Sequence, residues 1–169
     1  MQALERTAVR YWRFDGAELR DTLLVENLVD SICCEFSIAD ERRGDLELVL
    51  SEVITNSIDH GILGLDSTMK KDLTGFEQYF ISRAAKLASL EKGCIEITVE
   101  PVSDRMISIS IQDSGKGFPY PTGKLEQMPE SLLLAYGRGL LIIQKLCASM
   151  THLGNGNCVV LEFATSKSR

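Results

Sequence analysis

Asp45–Gly61 reads DLELVLSEVITNSIDHG, and the fold turns on how this stretch is wound. On an α-helix at roughly 100° per residue, Asp45, Glu52, Asn56 and Asp59 fall within about a sixth of a turn. Leu46, Leu50, Val53 and Ser57 make a separate stripe, flanked by Val49 and Ile54. Such a helix buries one face and presents carboxylates and an amide on a neighbouring one. On an isolated helix that polar row is ordinarily a solvated edge. Two later segments give it a different weight: Asp113-Ser114-Gly115-Lys116-Gly117-Phe118 and Gly137-Arg138-Gly139-Leu140.

The surrounding chain tells where these segments sit. Tyr11–Phe14 alternates and is aromatic, which predicts a short strand before the Asp15-Gly16 turn. Glu18–Phe36 has apolar residues at helical spacings and predicts an amphipathic helix. Ala39–Gly44 then serves as a charged connector, with Asp45 as cap of the motif helix. Ile62–Leu73 suggests an irregular loop, and Phe76, Phe80, Ala84, Leu87 and Leu90 predict a helix over Gly75–Glu91. Cys94–Pro101 and Met106–Gln112 alternate as an antiparallel hairpin, turned at Val102–Arg105, whose second strand runs straight into Asp113. Asp113–Tyr136 is punctuated by glycine and proline and reads as mostly mobile loop. Arg138–Met150 resumes a helix. Thr151–Leu153 and Cys158–Thr165 flank an Asn155-Gly156 hairpin turn. Strands that meet as hairpins, with helices between, predict an α+β chain built as a two-layer α/β sandwich. Its sheet is expected to be mixed, mostly antiparallel, and covered by helices on one face.

Composition narrows the function classes. A chain of 169 residues, 44% hydrophobic and 25% charged, fits one globular domain over 1–169. A net charge of −6 with no Lys/Arg run argues against nucleic acid. The five cysteines include no CxxC pair and sit mostly in apolar runs, as expected of small hydrophobes in a reducing cytosol. His60 and His152 lack the neighbours of a zinc site. No apolar stretch reaches the roughly 18 residues a membrane span needs, so a cytoplasmic protein is expected, without membrane partners.

Each later segment has its own chemistry. A carboxylate at a strand end, as at Asp113, accepts a hydrogen bond from an exocyclic amine such as adenine N6. Glycines 115 and 117 let the backbone approach a flat ring. A helix start such as Gly137–Leu140 offers free N–H groups and the positive dipole end to phosphate, and Arg138 adds a fixed charge. Taken singly, each is also an ordinary turn or a closely packed helix start. No P-loop GxxxxGK[ST] occurs.

Taken in order, the three segments resemble the N, G1 and G2 boxes of the GHKL (Bergerat-fold) ATPase superfamily. Within it the closest likeness is to the serine-kinase branch of anti-sigma factors, whose N box is E-x-x-x-N-x-x-x-H; Glu52, Asn56 and His60 match. The domains attached to bacterial serine-phosphatase and response-regulator modules look most similar. The resemblance implies ATP and Mg²⁺ as cofactors. Asn56 would coordinate the metal, with Asp59 and His60 beside it on the nucleotide side, and Glu52 would be the general base. Asp113, Gly115, Gly117 and Phe118 would form the adenine pocket. Gly137, Arg138, Gly139 and Leu140 would hold phosphate, and Pro119–Tyr136 would be the ATP lid.

Two departures stand out. Asn157-Cys158 replaces the family's frequent Gly-Thr, and Gly61–Lys92 is longer than compact members require. That elaboration reads either as a cover for the sheet or as a docking or dimerisation surface. The leading expectation is an ATP-dependent serine kinase acting on a STAS-type anti-sigma factor antagonist. The alternative is a nucleotide-dependent module that sequesters a regulator without phosphoryl transfer. A sigma or anti-sigma regulator and a homodimer stay open as further partners. A histidine-kinase ATPase domain is disfavoured because no phosphoacceptor hairpin precedes it here.

Overall fold

The computed structural model describes residues 8–66, 73–117 and 138–167. Five strands among them form one sheet: β1 (Arg10–Asp15), β2 (Cys94–Ser103), β3 (Met106–Asp113), β4 (Ser149–Leu153) and β5 (Cys158–Ala164). Their order is β1-β2-β3-β5-β4. All four pairings are antiparallel, where a mixed sheet was the expectation. The crossover from β3 carries the chain past one strand position to β4, and β5 folds back between them. β3 and β4 run the same way but never hydrogen-bond to each other.

Period-two alternation builds the inner face. Ile95, Ile97 and Val99 of β2, Ile107, Ile109 and Ile111 of β3, and Val159, Leu161 and Phe163 of β5 are all buried. In register, Ile97 lies beside Ile111, and Ile111 beside Val159. Helices α1 (Leu24–Phe36), α2 (Asp40–Asn56) and α4 (Arg138–Leu146) contribute to the same core. The stripe expected on the motif helix is there, with Leu46, Val49 and Leu50 fully buried and Val53, Ile54 and Ser57 nearly so. Each fully buried aliphatic side chain contributes about 1.5–3 kcal/mol.

Several boundaries differ from the sequence reading, each for a local reason. Glu18–Phe36 is not continuous. A 3-10 turn at Glu18–Arg20 ends where Asp21 turns extended, and Asp21 Oδ1 accepts the Leu23 N–H at 2.9 Å before α1 begins. Asp45 does not cap the motif helix, because α2 begins five residues earlier at Asp40, after extended Ala39. The Ala39 N–H instead donates to the Thr165 carbonyl at 2.9 Å. Asp45 pairs with Arg42 at 2.5 Å. The predicted last helix stops at Leu146, since Ala148 donates to the Glu162 carbonyl and Ser149 and Met150 join the sheet opposite Glu162 and Leu161.

Arg42 closes this layer against the sheet. It is only 8% exposed. Its Nε donates to the Ala164 carbonyl at 3.1 Å, Nη2 donates to the Leu146 carbonyl at 2.9 Å, and the guanidinium lies 4.3 Å from the centre of the Phe163 ring. A buried cation is tolerated because every side of it is answered.

Helix α3 (Leu73–Ala88) lies two to three residues earlier than the expected Gly75–Glu91, and of the expected stripe only Leu87, with Leu90 just beyond the helix, packs against the core. The recurring Phe76 and Phe80 are about half exposed and Ile81 more so, while Tyr79 is fully buried. Phe76 and Phe80 stack edge to face, 4.8 Å between centroids. Among the described residues no helix is long and apolar enough to cross a membrane. The cysteines are free and only partly buried, and Cys34 is exposed.

Candidate functional site

Three pieces of chain that lie far apart in sequence meet between α2 and the sheet. Asp113 continues the inward parity of Ile107, Ile109 and Ile111, so its side chain enters the layer between sheet and helix and is 3% exposed. Its Oδ1 accepts the Gly115 N–H at 2.8 Å. Burial pushes its pKa from 3.8 up to about 6, against the lowering effect of that N–H.

The opposing wall is the end of the motif helix, where the winding changes. From Ser57 to Ile62 the helix widens to a π-helical turn, closed by Leu63 N–H to the Ile58 carbonyl at 2.8 Å. A wider turn rotates less per residue, so the polar row does not continue in phase beyond Asn56. Gly61 is brought against the Asp113 carboxylate, where an added Cβ would lie 2.5 Å from Oδ1. A Cβ on Gly115 would overlap the Gly61 carbonyl. These two glycines are what allow the helix end and the strand end to touch.

The third piece is the start of α4. A Cβ on Gly139 would overlap the Glu52 carboxylate, so Glu52 lies directly against this helix start. Glu52 and Asn56 are half-buried, one helical turn apart, and neither has a hydrogen bond or ion pair among the described residues. Arg138 is exposed and likewise has none. Leu140 is buried in the core and anchors the helix start.

The remaining expected residues are placed differently. Asp59 does not share the Glu52–Asn56 row. It is 2% exposed, and both its oxygens are taken: Oδ2 by the Tyr79 hydroxyl at 2.7 Å and Oδ1 by Arg83 Nε at 2.6 Å. The phase shift of the π turn aims it at α3 instead of the nucleotide side. His60 Nδ1 lies 2.7 Å from the Leu65 carbonyl, which can only accept, so that nitrogen carries the proton. Leu63 and Leu65, expected in an irregular loop, are buried. Gly117 has φ +78°, and a Cβ there would overlap the Asn155 carbonyl. Phe118, Gly137, the expected lid Pro119–Tyr136 and residues 67–72 of the expected loop lie outside the described residues.

Sequence reasoning missed Asn157 and Asn155, taken only as turn residues. Asn157 Nδ2 donates to the Asp113 carbonyl at 3.1 Å, and its own carbonyl accepts the Asp113 N–H at 2.9 Å. Asn155 Nδ2 donates to the Lys116 carbonyl at 2.5 Å. The asparagine at 157, where the family often has glycine before threonine, thus clamps the strand end that carries Asp113. Beneath it, a cavity of about 10 Å³ lined by Val53, Ser57, Asp113, His152 and Asn157 has room for about one water. Burial lowers the His152 pKa to about 4. A larger cleft, about 200 Å³, lies elsewhere, between Trp12, Phe14, Leu24 and Leu28.

Among the described residues Glu52 and Asn56 thus leave a carboxylate and an amide without side-chain partners, Glu52 lies beside a helix start, and the buried Asp113 carboxylate lies against Gly61 further along the same helix. The family model for the histidine kinase-like ATPase domain matches residues 17–163. The chain belongs to this family. Membership makes it an ATP-binding, kinase-like domain of the GHKL type, and the two-layer fold agrees. Comparison with curated proteins and with solved structures gives no match.

No cluster of three or more His, Cys, Asp or Glu residues suited to a metal occurs among the described residues. Mg²⁺ keeps several waters and is held by one or two protein oxygens plus substrate phosphates, and the Asn56 amide oxygen fits such a role.

Proposed function

We propose that this domain is an ATP-dependent protein serine kinase of the anti-sigma factor type, whose substrate is a STAS-type antagonist. The observation that carries the proposal is the pair Glu52 and Asn56, half-buried one helical turn apart and without side-chain partners among the described residues, with Glu52 set against the start of α4. Half-buried polar side chains left open among the described residues, in a nucleotide-binding family, are available to ligand.

In this reading Asp113 accepts from the adenine amine with its second oxygen, Gly115 already occupying the first. Phosphates lie at the start of α4, where the N–H groups of Gly139 and Leu140 and the Arg138 guanidinium supply positive potential. Asn56 holds Mg²⁺, which when bound neutralises phosphate charge. Glu52 takes the proton of the acceptor serine hydroxyl as its oxygen bonds to the γ-phosphorus and the bond to the β-phosphate oxygen breaks, releasing ADP.

Glu52→Gln keeps size and hydrogen bonding but cannot take the proton. ATP affinity should survive while phosphoserine formation on a STAS-type partner, read by mass spectrometry, falls by roughly 10²–10⁴-fold. Unchanged transfer removes Glu52 as base. If neither wild type nor variant transfers phosphate while both bind the partner, the domain is a sequestering module and not a kinase.

A further inference from the structure

We infer that α3 is a positioning element of the nucleotide site, holding the π-helical turn of the motif helix in place through Asp59. The inference rests on the nucleotide-site reading above and extends it to residues that touch none of the expected ligand groups.

The turn Ser57–Ile62 links Asn56, at the end of α2, to Gly61, on which the Asp113 and Gly115 contacts depend. π-helical turns are rare and persist where surrounding structure over-determines them. Here that structure comes from α3. The Tyr79 hydroxyl and Arg83 Nε each engage one oxygen of Asp59 within the turn, and Lys86 Nζ donates to the Leu63 carbonyl at 2.9 Å just beyond it. The Asp59 carbonyl also accepts the Leu65 N–H at 2.7 Å, which fixes the exit of the chain. Asp59 and Tyr79 are almost wholly buried, and the Arg83 side chain is 29% exposed. Losing one partner leaves a buried carboxylate uncompensated, and the cheapest relief is for the turn to rewind. Rewinding would rotate Gly61 away from Asp113 and Gly115, while Asn56, inside α2, keeps its row with Glu52.

The test uses the full chain with Arg83→Met, Arg83→Lys and Tyr79→Phe. Calorimetry measures ATP affinity with Mg²⁺ and with EDTA, and hydrogen exchange follows residues 57–65, α3 and β3. In wild type, MgATP should slow exchange in the turn and also in α3. Arg83→Met should weaken MgATP by about 10–100-fold, the range typical of groups that orient a ligand residue, with a similar loss in EDTA because the displaced contact is the one at Gly61 and Asp113. Exchange in the turn should quicken while β3 stays protected, and Arg83→Lys should recover most of the affinity. Tyr79→Phe should give a smaller loss in the same direction; it removes a single oxygen and decides the matter if Arg83→Met loses β3 protection. Variants that bind MgATP like wild type would overturn the inference alone. A wild type that binds no ATP would overturn the nucleotide reading, and this inference with it.

Discussion

Asp113→Asn should make the nucleotide-free protein more stable and the nucleotide-bound protein less so. Burial holds the Asp113 carboxyl at about 6 instead of 3.8, so the folded state disfavours its charge by about 2 pH units. That gap corresponds to about 3 kcal/mol, which solvent screening reduces to about 1–2 kcal/mol. Asparagine keeps an oxygen for the Gly115 N–H but carries no charge to desolvate. For a protein of this length the gain at pH 7 raises Tm by about 2–8 °C. The sign follows from proton binding. An acid whose folded pKa is raised takes up its proton in the folded state first, so wild-type stability falls as pH rises from about 4 through about 6. Variant and wild type should therefore converge near pH 4 and separate by pH 7. Scanning calorimetry of nucleotide-free protein between those limits measures the separation, and titration with ATP and GTP measures the cost, expected at about tenfold for ATP alone. A variant less stable than wild type at pH 7, or a gap independent of pH, would refute the argument.

Four other outcomes follow. His152, with its pKa lowered to about 4 by burial, binds protons mainly in the unfolded state, so its contribution is lost as pH falls from about 6.5 to about 4; His152→Gln should flatten the acid side of a urea-midpoint profile. Gly115→Ala places a methyl into the Gly61 carbonyl and should cost both stability and ATP binding. Gly139→Ala meets only the movable end of Glu52, so thermal melting should barely shift while phosphoryl transfer falls. Arg42→Ala leaves the Ala164 and Leu146 carbonyls and Asp45 unanswered and should destabilise by about 3–5 kcal/mol, read from chemical denaturation.

The sheet and the motif helix were legible because each follows one periodicity over many residues. Ile107, Ile109, Ile111 and Asp113 share a parity, yet the sequence reading put the carboxylate only at the strand end, and its inward placement comes from the structure. Glu52 and Asn56 were legible as neighbours because the helical period holds between them. Legibility ended at Ser57, where the winding changes four residues ahead of Gly61, and Asp59 went to α3. The pairing of Asp59 with Arg83 spans 24 residues, and no local rule reports such a contact. Helix α3 shows the same limit. Its apolar stripe was read correctly as helical, yet the residue it buries is Tyr79, chosen by a buried acid that the helix's own pattern does not contain. Asn155 was hidden by a second role, since Asn155-Gly156 already explains itself as a turn, and Asn157 lies in the same turn.

The guanidinium of Arg42 has a consequence for how the chain comes together. Its carbonyl partners belong to Leu146 and Ala164, and the ring beneath it to Phe163, more than a hundred residues further along. During synthesis α2 can wind early, but its first turn holds a cation answered only by Asp45 until β5 has left the ribosome and paired with β3. β1 waits similarly, since its partner Cys94–Ser103 is made some eighty residues later. Contacts of such long sequence separation slow folding and keep strand edges open meanwhile. The last strand is therefore the piece whose arrival completes the domain, and a chain cut before Phe163 should persist as a collapsed intermediate that chaperones hold.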